Sequence, residues 1–155
     1  MTAKHWRIAL TVNGEAIARE VPVRLNLVDF LRHDLGFTGS HVGCEQGACG
    51  ACTVLVDGET VRGCLLLAVQ ADGCKVETIE IMEFEDLRAA FHRLNALQCG
   101  FCTPGMLLSA QELLQAKPKP SRAEIREYLS GNFCRCTGYQ AIVDAVEAVA
   151  RARGG

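Results

Sequence analysis

The order of apolar and polar residues at the start of the chain predicts a β-hairpin. Residues 8–12 alternate between large apolar side chains and smaller or polar ones, which is the two-residue period of a half-buried strand. Asn13-Gly14 follows directly and is typical of a two-residue hairpin turn. We therefore predict a second strand over residues 17–21, paired with the first.

A second hairpin is predicted further along the chain. Asp57-Gly58 separates residues 53–56 from residues 60–64, and both flanking segments are rich in β-branched residues. A last short strand is predicted over residues 76–81.

One helix is predicted between the two hairpins. Apolar side chains fall at helical spacing over residues 27–35, Asn26 can cap the N-terminus, and Gly36 can end the helix. A loop rich in glycine and cysteine follows.

From about residue 82 onward, the spacing of apolar residues changes to that of amphipathic helices. Proline at the first helical position and a Ser-x-x-Glu capping box mark two of the helix starts. The predicted helices cover residues 87–94, 103–114, 121–131 and 142–149. The change of period predicts two domains, residues 1–81 and residues 82–155.

Composition and charge exclude several classes of protein. The chain has 155 residues, of which 49% are hydrophobic, so it can bury a sizeable core and is not disordered. Sixteen Lys and Arg face eighteen Asp and Glu, for a net charge of −2. This balance gives no electrostatic reason to bind nucleic acid or an anionic membrane.

Cysteine is the most informative part of the composition. Nine cysteines in 155 residues fall below the density of a disulfide scaffold. No run approaches the ~20 apolar residues of a membrane span, and residues 1–10 lack the apolar run of a signal peptide. We expect a cytoplasmic protein, in which thiols stay reduced and clustered cysteines serve metal or redox chemistry.

Four cysteines form what we call the first cysteine set. Cys44, Cys49 and Cys52 are separated by four and then two residues, and Cys64 follows in the second predicted hairpin. This is the plant-type [2Fe–2S] spacing. Three glycines in the loop allow the backbone to turn its N–H groups toward anionic sulfur, while a strand is expected to carry Cys64 as a rigid fourth ligand. Zinc is less favoured, because it typically uses two short Cys-x₂₋₄-Cys pairs.

The second cysteine set is Cys99, Cys102, Cys134 and Cys136. A Cys-x-x-Cys pair alone also occurs in zinc sites and thioredoxin-like redox pairs, although the βαβ context of a redox pair is missing here. Zinc remains open from spacing alone. Both cysteine pairs come just before a predicted helix, so we expect two helix N-termini to face one anionic site.

Three longer runs in the sequence resemble motifs of the molybdenum hydroxylases, the family of xanthine oxidase, aldehyde oxidoreductase and carbon monoxide dehydrogenase. They are residues 43–54 (GCEQGACGACTV), 98–106 (QCGFCTPGM) and 132–139 (NFCRCTGY). The resemblance extends from the first hairpin to the last helix, and the length is similar to that of the family's separate small iron–sulfur subunit. One departure is His41, where this family more often has a lysine.

The resemblance implies a fold, cofactors and partners. The fold would be α+β, with an N-terminal β-grasp plant-type ferredoxin-like domain followed by a four-helix domain, each holding one [2Fe–2S] cluster. Electrons would pass from a molybdopterin-type molybdenum cofactor in a large subunit, through both clusters, to FAD in a medium subunit or to another acceptor. The complex would be a heterotrimer that can dimerise, with substrate specificity in the molybdenum subunit. Gln98 and Cys136 correspond to the family residues that contact the pterin.

Two alternatives differ from this interpretation in class. One is a free-standing two-cluster ferredoxin, and the other is a zinc-dependent interaction module. The second cysteine set and Gln98 favour the enzyme subunit, because a soluble carrier needs only one cluster. The chain contains no residue expected to carry bond-making chemistry, and Cys74 lies outside both sets, so we predict that it binds no metal.

Overall fold

The first strands form the predicted hairpin in the computed structural model, which describes residues 4–154. Strands β1 (His5–Val12) and β2 (Glu15–Pro22) are antiparallel. Asn13 and Gly14 both have positive φ angles, 52° and 84°, as this type of two-residue turn requires. The hairpin prediction is confirmed.

Five strands make one mixed sheet, so the chain has an α+β fold. Strands β3 (Thr53–Val56) and β4 (Glu59–Arg62) form the second hairpin, and β5 (Lys75–Glu77) lies between β1 and β3. The strand order is β2-β1-β5-β3-β4, and among the strands formed by residues 4–154 only the β1–β5 pair is parallel.

The last strand is shorter than the predicted segment 76–81. After β5 the buried Thr78 bonds to a side chain instead of a strand: its N–H donates to Oδ1 of Asn13 at 2.9 Å, and its hydroxyl accepts from Nδ2 of Asn13. Ile79–Ile81 then forms a 3₁₀ turn. Asn13, which follows the neighbouring strand β1, therefore ends β5.

Cys64 does not lie on a strand, so that prediction was wrong. Strand β4 ends at Arg62. Gly63 still donates its N–H to the carbonyl of Cys52 at 3.1 Å, in register with the β3–β4 pairing, before the chain turns. Leu65 closes the turn by donating to the carbonyl of Arg62 at 2.9 Å. The turn brings the backbone of Cys64 toward Cys52.

The helix between the hairpins is confirmed, with an altered geometry. Helix α1 (Leu27–Asp29) begins at an Asn26 cap, whose Oδ1 accepts the N–H of Asp29 at 2.8 Å. It continues as a π-helical segment, Phe30–Asp34, and Gly36 follows with a φ of 79°. Later in the chain, residues Ala68–Ala71 form a 3₁₀ turn that packs against β1.

Helices make up most of the second half. They are α2 (Glu85–Arg93), α3 (Thr103–Ala116), α4 (Arg122–Tyr128), which continues as the 3₁₀ turn Leu129–Gly131, and α5 (Gln140–Arg153). The capping box is confirmed, since Ser121 and Glu124 bond each other's backbone N–H groups. Within residues 4–154, none of these helices combines the length and apolar character needed to cross a bilayer.

Buried apolar residues form two clusters. One fills the space between the sheet and α1, and its largest members are Ile8, Leu27, Phe30 and Leu31. The other lies among the helices, and its largest fully buried members are Leu87, Phe91, Met106, Leu108, Ile125 and Ile142. Helix α3 packs against β3 and β4, so the two clusters meet beside the cysteine loops.

Candidate functional site

Backbone N–H groups surround the sulfur of Cys44. The N–H of Cys49 lies 3.4 Å from Cys44 Sγ. Hydrogen bonds from the N–H of Gln46, and then from Cys49, lower the pKa of the Cys44 thiol to about 7. The loop therefore stabilises a thiolate, which is the metal-binding form of cysteine.

Cys52 and Cys64 supply two more sulfurs of the first cysteine set, and their side chains are neighbours. Cys52 is buried, and burial raises the pKa of its thiol to about 11, with the neighbouring Cys64 side chain adding to the effect. A buried thiolate is unfavourable without a compensating positive charge, and a bound metal ion supplies one. Without a metal ion, burial therefore favours the neutral thiol at Cys52, and metal coordination would have to offset that cost.

The second cysteine set contains a close sulfur pair. The Sγ atoms of Cys99 and Cys136 are 3.6 Å apart, and both cysteines are exposed and free. Two thiolates on one tetrahedral metal ion lie about 3.8 Å apart when each metal–sulfur bond is about 2.3 Å. A disulfide would bring them to about 2.05 Å. The separation suits two ligands of a single iron.

Cys102 and Cys134 are the buried pair of the second set. Burial, and then the neighbouring Cys134 side chain, raise the pKa of the Cys102 thiol to about 12. Burial also acts to raise the pKa of Cys134, but hydrogen bonds from Thr137 and from the N–H of Cys136 outweigh it and lower the pKa. Thr137 donates its hydroxyl to Cys134 Sγ at 3.1 Å and its N–H at 3.4 Å.

The two helix starts differ in how they meet the site. Cys102 directly precedes the first residue of α3, as expected. The donors to the Cys134 sulfur lie in the loop before α5, and Tyr139 takes the left-handed φ of 70° at the cap of that helix. The Tyr139 hydroxyl accepts the N–H of Cys134 at 2.9 Å, so it orients this loop.

The cysteines thus approach each other in pairs, as the donor set of a binuclear cluster does. The pairs are Cys44 with Cys49, Cys52 with Cys64, Cys99 with Cys136, and Cys102 with Cys134. Each iron of a [2Fe–2S] cluster takes two protein thiolates. Within residues 4–154, no group of three or more His, Cys, Asp and Glu side chains is arranged to hold a single metal ion.

Gln98 and Cys136, expected to contact a cofactor together, are neighbours at the surface. Nε2 of Gln98 donates to the carbonyl of Cys136 at 3.0 Å, and both residues are exposed. Phe101, Phe133 and Tyr139, from the same two motifs, are also exposed, by 46%, 54% and 40%. The two motifs therefore expose polar groups, a cysteine and large apolar side chains.

The loops that carry the two cysteine sets contact each other directly. The N–H of Phe133 donates to the carbonyl of Cys49 at 2.8 Å. The ring of His41 stacks on Phe101 with centroids 4.5 Å apart, and its Nδ1 lies 2.8 Å from the Phe101 carbonyl oxygen. Sequence reasoning missed these contacts, since it assigned His41 and Phe101 no role.

Two glycines permit this approach. A Cβ at Gly105, in the first turn of α3, would collide with the carbonyl oxygen of Gly50. Gly50 itself has a φ of 72°, and a Cβ there would lie 2.6 Å from Asn132 Nδ2 and from the Gly131 carbonyl oxygen. The glycine of the first loop is therefore required by contact with the helices as well as by its own backbone angle.

Cys74 lies apart from both sets. It precedes β5 near Asp57 and Asp72, and its Sγ lies 3.9 Å from the Asp72 carbonyl oxygen. Burial, and then a hydrogen bond with Asp57, raise the pKa of the Cys74 thiol, and no cysteine of the two sets contributes to this shift.

Two family models match the chain. Residues 10–73 match the 2Fe-2S iron-sulfur cluster binding domain. Residues 75–147 match the [2Fe-2S] binding domain. Together they include all eight cysteines of the two sets.

Named relatives are similar over almost the whole chain. The caffeine dehydrogenase subunit gamma of Pseudomonas sp. (strain CBB1) is 52% identical over 149 residues, which cover 92% of this chain and 89% of the relative. The nicotine 6-hydroxylase small subunit of Paenarthrobacter nicotinovorans is 53% identical over 142 residues, covering 90% and 86%. A chain in the crystal structure of quinoline 2-oxidoreductase from Pseudomonas putida 86 superposes with a TM-score of 0.90 at 51% identity, covering 97% of this chain and 96% of that one.

Proposed function

Since the chain belongs to the small [2Fe–2S] subunits of the molybdenum hydroxylases, we propose that its eight paired cysteines hold two [2Fe–2S] clusters in a fixed relay. The function of the subunit is electron transfer within a molybdenum-dependent oxidoreductase. Each cluster, when bound, supplies a one-electron redox couple. The residues of this chain hold the clusters, set their surroundings and present them to other subunits.

The ligand assignment follows the sulfur pairs. The first cysteine set holds one cluster and the second set holds the other. The observation that carries this proposal is the 3.6 Å separation of the Cys99 and Cys136 sulfurs, which matches two thiolates on one metal ion. The amide-rich surroundings of Cys44 and the hydroxyl of Thr137 stabilise negative charge on the sulfurs.

The exposed face around Gln98 and Cys136 is proposed to contact the molybdenum subunit. The Gln98 side chain is held by the Cys136 carbonyl and keeps its own amide oxygen for a partner, while the Cys136 sulfur is exposed. This geometry supports the pterin contact implied by the resemblance. The exposed Phe133 and Tyr139 supply apolar area for the same interface.

We also propose the rest of the assembly. A medium FAD subunit would accept electrons on the side of the first cysteine set, in a cytoplasmic heterotrimer that can dimerise. Relatives that share about half of their sequence with this chain are named for caffeine, nicotine and quinoline. Their names support a nitrogen heterocycle as the substrate of the large subunit.

The domain boundary and the four-helix arrangement are part of the proposal. Residues 1–81 would form the ferredoxin-like domain and residues 82–155 a domain of four helices. Two separate buried clusters support this division, although Ile79 already packs with the helices.

The decisive experiment is metal analysis combined with EPR of the dithionite-reduced complex. We expect about four iron and about four acid-labile sulfide per chain, with two distinguishable EPR signals. Zinc without labile sulfide would overturn the cluster proposal. Expression without partner subunits is the second arm: a stable monodisperse two-cluster monomer that reduces separate enzymes would identify a free carrier.

A further inference from the structure

Arg62, the last residue of β4, lies between the two cysteine sets. Its guanidinium donates to Oγ1 of Thr53, the residue next to Cys52. It also donates to the carbonyl of Gly131 at 2.8 Å and lies 3.5 Å from Oδ1 of Asn132, in the segment that leads to the second set. One side chain thus bonds residues adjoining both sets.

Two of the residues that contact this guanidinium are buried. Thr53 and Asn132 are 0% and 2% exposed. The Thr53 hydroxyl donates to the carbonyl of Gly50 at 2.7 Å, and Asn132 Nδ2 approaches the same oxygen at 3.4 Å. Ser109 donates its hydroxyl to Asn132 Oδ1 at 3.0 Å. A charge beside such groups acts through a medium of low effective dielectric constant, where it is felt more strongly than in water.

The charge of Arg62 has no direct ionic partner among the described residues. The ion pairs formed within residues 4–154 do not include it, and its hydrogen-bond acceptors are neutral oxygens. Glu112 is near enough for the charge of Arg62 to act on it, but its oxygens accept from the N–H and hydroxyl of Thr60 and from the hydroxyl of Tyr128. Partly buried cations are normally balanced by an anion.

We infer that the two metal clusters are the counter-charges of Arg62, and that this guanidinium is a positioning residue that raises the reduction potentials of both. The inference rests on the proposed ligand assignment. A cluster with four thiolate ligands is anionic and becomes more so on reduction, so a fixed positive charge beside it favours the reduced form. Arginine serves as a fixed positive charge in proteins.

The effect is larger on the cluster of the first cysteine set. Arg62 is two residues from Cys64 along the chain, and its guanidinium is bonded to the residue next to Cys52. Its contacts toward the second set are with Gly131 and Asn132, which precede Cys134 by three and two residues.

The test compares Arg62→Gln with Arg62→Lys in the assembled complex. Gln removes the charge and keeps an amide donor. Lys keeps the charge but lacks the planar guanidinium that donates to Thr53 and Gly131 together. Midpoint potentials are measured by EPR-monitored redox titration, after metal and sulfide analysis has confirmed two clusters. We expect Gln to lower the equilibrium constant for reduction of the first-set cluster about tenfold, which is about 59 mV for one electron. Lys should retain most of the original potential.

Three outcomes would contradict either the inference or the proposed function. Unchanged potentials in an Arg62→Gln protein with two intact clusters would overturn the inference and leave the proposed function standing. A Lys variant as low in potential as the Gln variant would also overturn it, because geometry and not charge would then be responsible. Absence of labile sulfide in the unaltered protein would instead remove the proposed function itself.

Glu112→Gln keeps the inference testable if neither Arg62 variant assembles its clusters. The change removes a negative charge that faces Arg62 and retains an acceptor for Tyr128 or Thr60. The potential of the first-set cluster should rise, opposite in sign to the Arg62→Gln shift. A potential that is unchanged or lower would contradict electrostatic control from this site.

Discussion

The backbone N–H of Phe133 donates a hydrogen bond of 2.8 Å to the carbonyl oxygen of Cys49. Cys49 belongs to the first cysteine set, and Phe133 directly precedes Cys134 of the second. One hydrogen bond therefore joins the main chains that carry the proposed ligands of two different clusters. It holds the two sets at one separation, as a relay between fixed centres requires.

Replacing Cys136 by serine should remove one cluster. A hydroxyl is a harder and poorer ligand for iron in a sulfur cluster than a thiolate. We expect iron to fall from about four to about two per chain, with loss of one EPR signal and of turnover in the complex. Cys74→Ser is the control and should keep both signals, because Cys74 lies beside Asp57 and Asp72, away from the sets. Loss of a signal in that control would show that the ligands are misassigned.

The hydroxyl of Thr137 should raise the potential of the second-set cluster. It donates to Cys134 Sγ at 3.1 Å, and hydrogen bonds to cluster sulfur stabilise the added negative charge of the reduced state. Thr137→Val has nearly the same shape without the donor, so the midpoint potential should fall. Thr137→Ser keeps the hydroxyl and should stay close to the original value. The measurement is a redox titration of the EPR signal that Cys136→Ser abolishes, and equal shifts in both variants would contradict the assignment.

Gly50→Ala should destabilise the protein more than the same change at Gly14. Both glycines have positive φ, 72° and 84°, so both substitutions carry a backbone cost of roughly 1–2 kcal/mol. A Cβ at Gly14 meets nothing within 4 Å, whereas at Gly50 it meets Asn132 and Gly131. Overpacking at Gly50 should add about 1–3 kcal/mol. Thermal unfolding midpoints measure the difference, and equal losses would show that only the backbone angle matters.

The ion pair between Asp86 and Arg153 should give a pH-dependent stabilisation. Arg153 donates to both carboxylate oxygens, at 2.6 and 2.8 Å, and this hydrogen bonding holds the pKa of Asp86 below its ordinary range. The contribution is therefore complete above about pH 4, the region of the unfolded-state pKa, and is lost as the pH falls through the lower folded-state pKa. Since both side chains are partly exposed, its size should be about 0.5 kcal/mol.

Asp86→Asn and Arg153→Met, alone and together, test this pair in a double-mutant cycle. The coupling measured by thermal unfolding should be the same at pH 7 and pH 5. It should decline only below about pH 4. A coupling that grows as the pH falls would contradict the proposed sign.

Features set by neighbouring residues could be predicted from the sequence. Asn13-Gly14 forms the expected turn, Asn26 caps α1, and Ser121 with Glu124 forms the capping box, because each depends on a few adjacent positions. The motifs also grouped Cys99 and Cys136 in one set, and their sulfurs lie 3.6 Å apart, but which members of that set pair was not predicted.

Features set by distant residues could not be predicted from the sequence. Strand β5 ends early because Thr78 bonds to Asn13, 65 positions away. Arg62 meets Gly131 across 69 positions. Nothing in the local pattern around Arg62 distinguishes it from a surface arginine on an edge strand, so its position between the cysteine sets emerges only when the sheet and helices are packed together.

The close approach of Gly50 to Gly105 has a consequence for protein engineering. The two halves of the chain are not interchangeable modules, because a Cβ atom at either glycine would collide with the other half. A chimera that joins the first half of this subunit, with Arg62, to the second half of a relative must also carry over Gly105 and residues 131–133. Without these residues, the hybrid would keep every ligand and lose the spacing between its two redox centres.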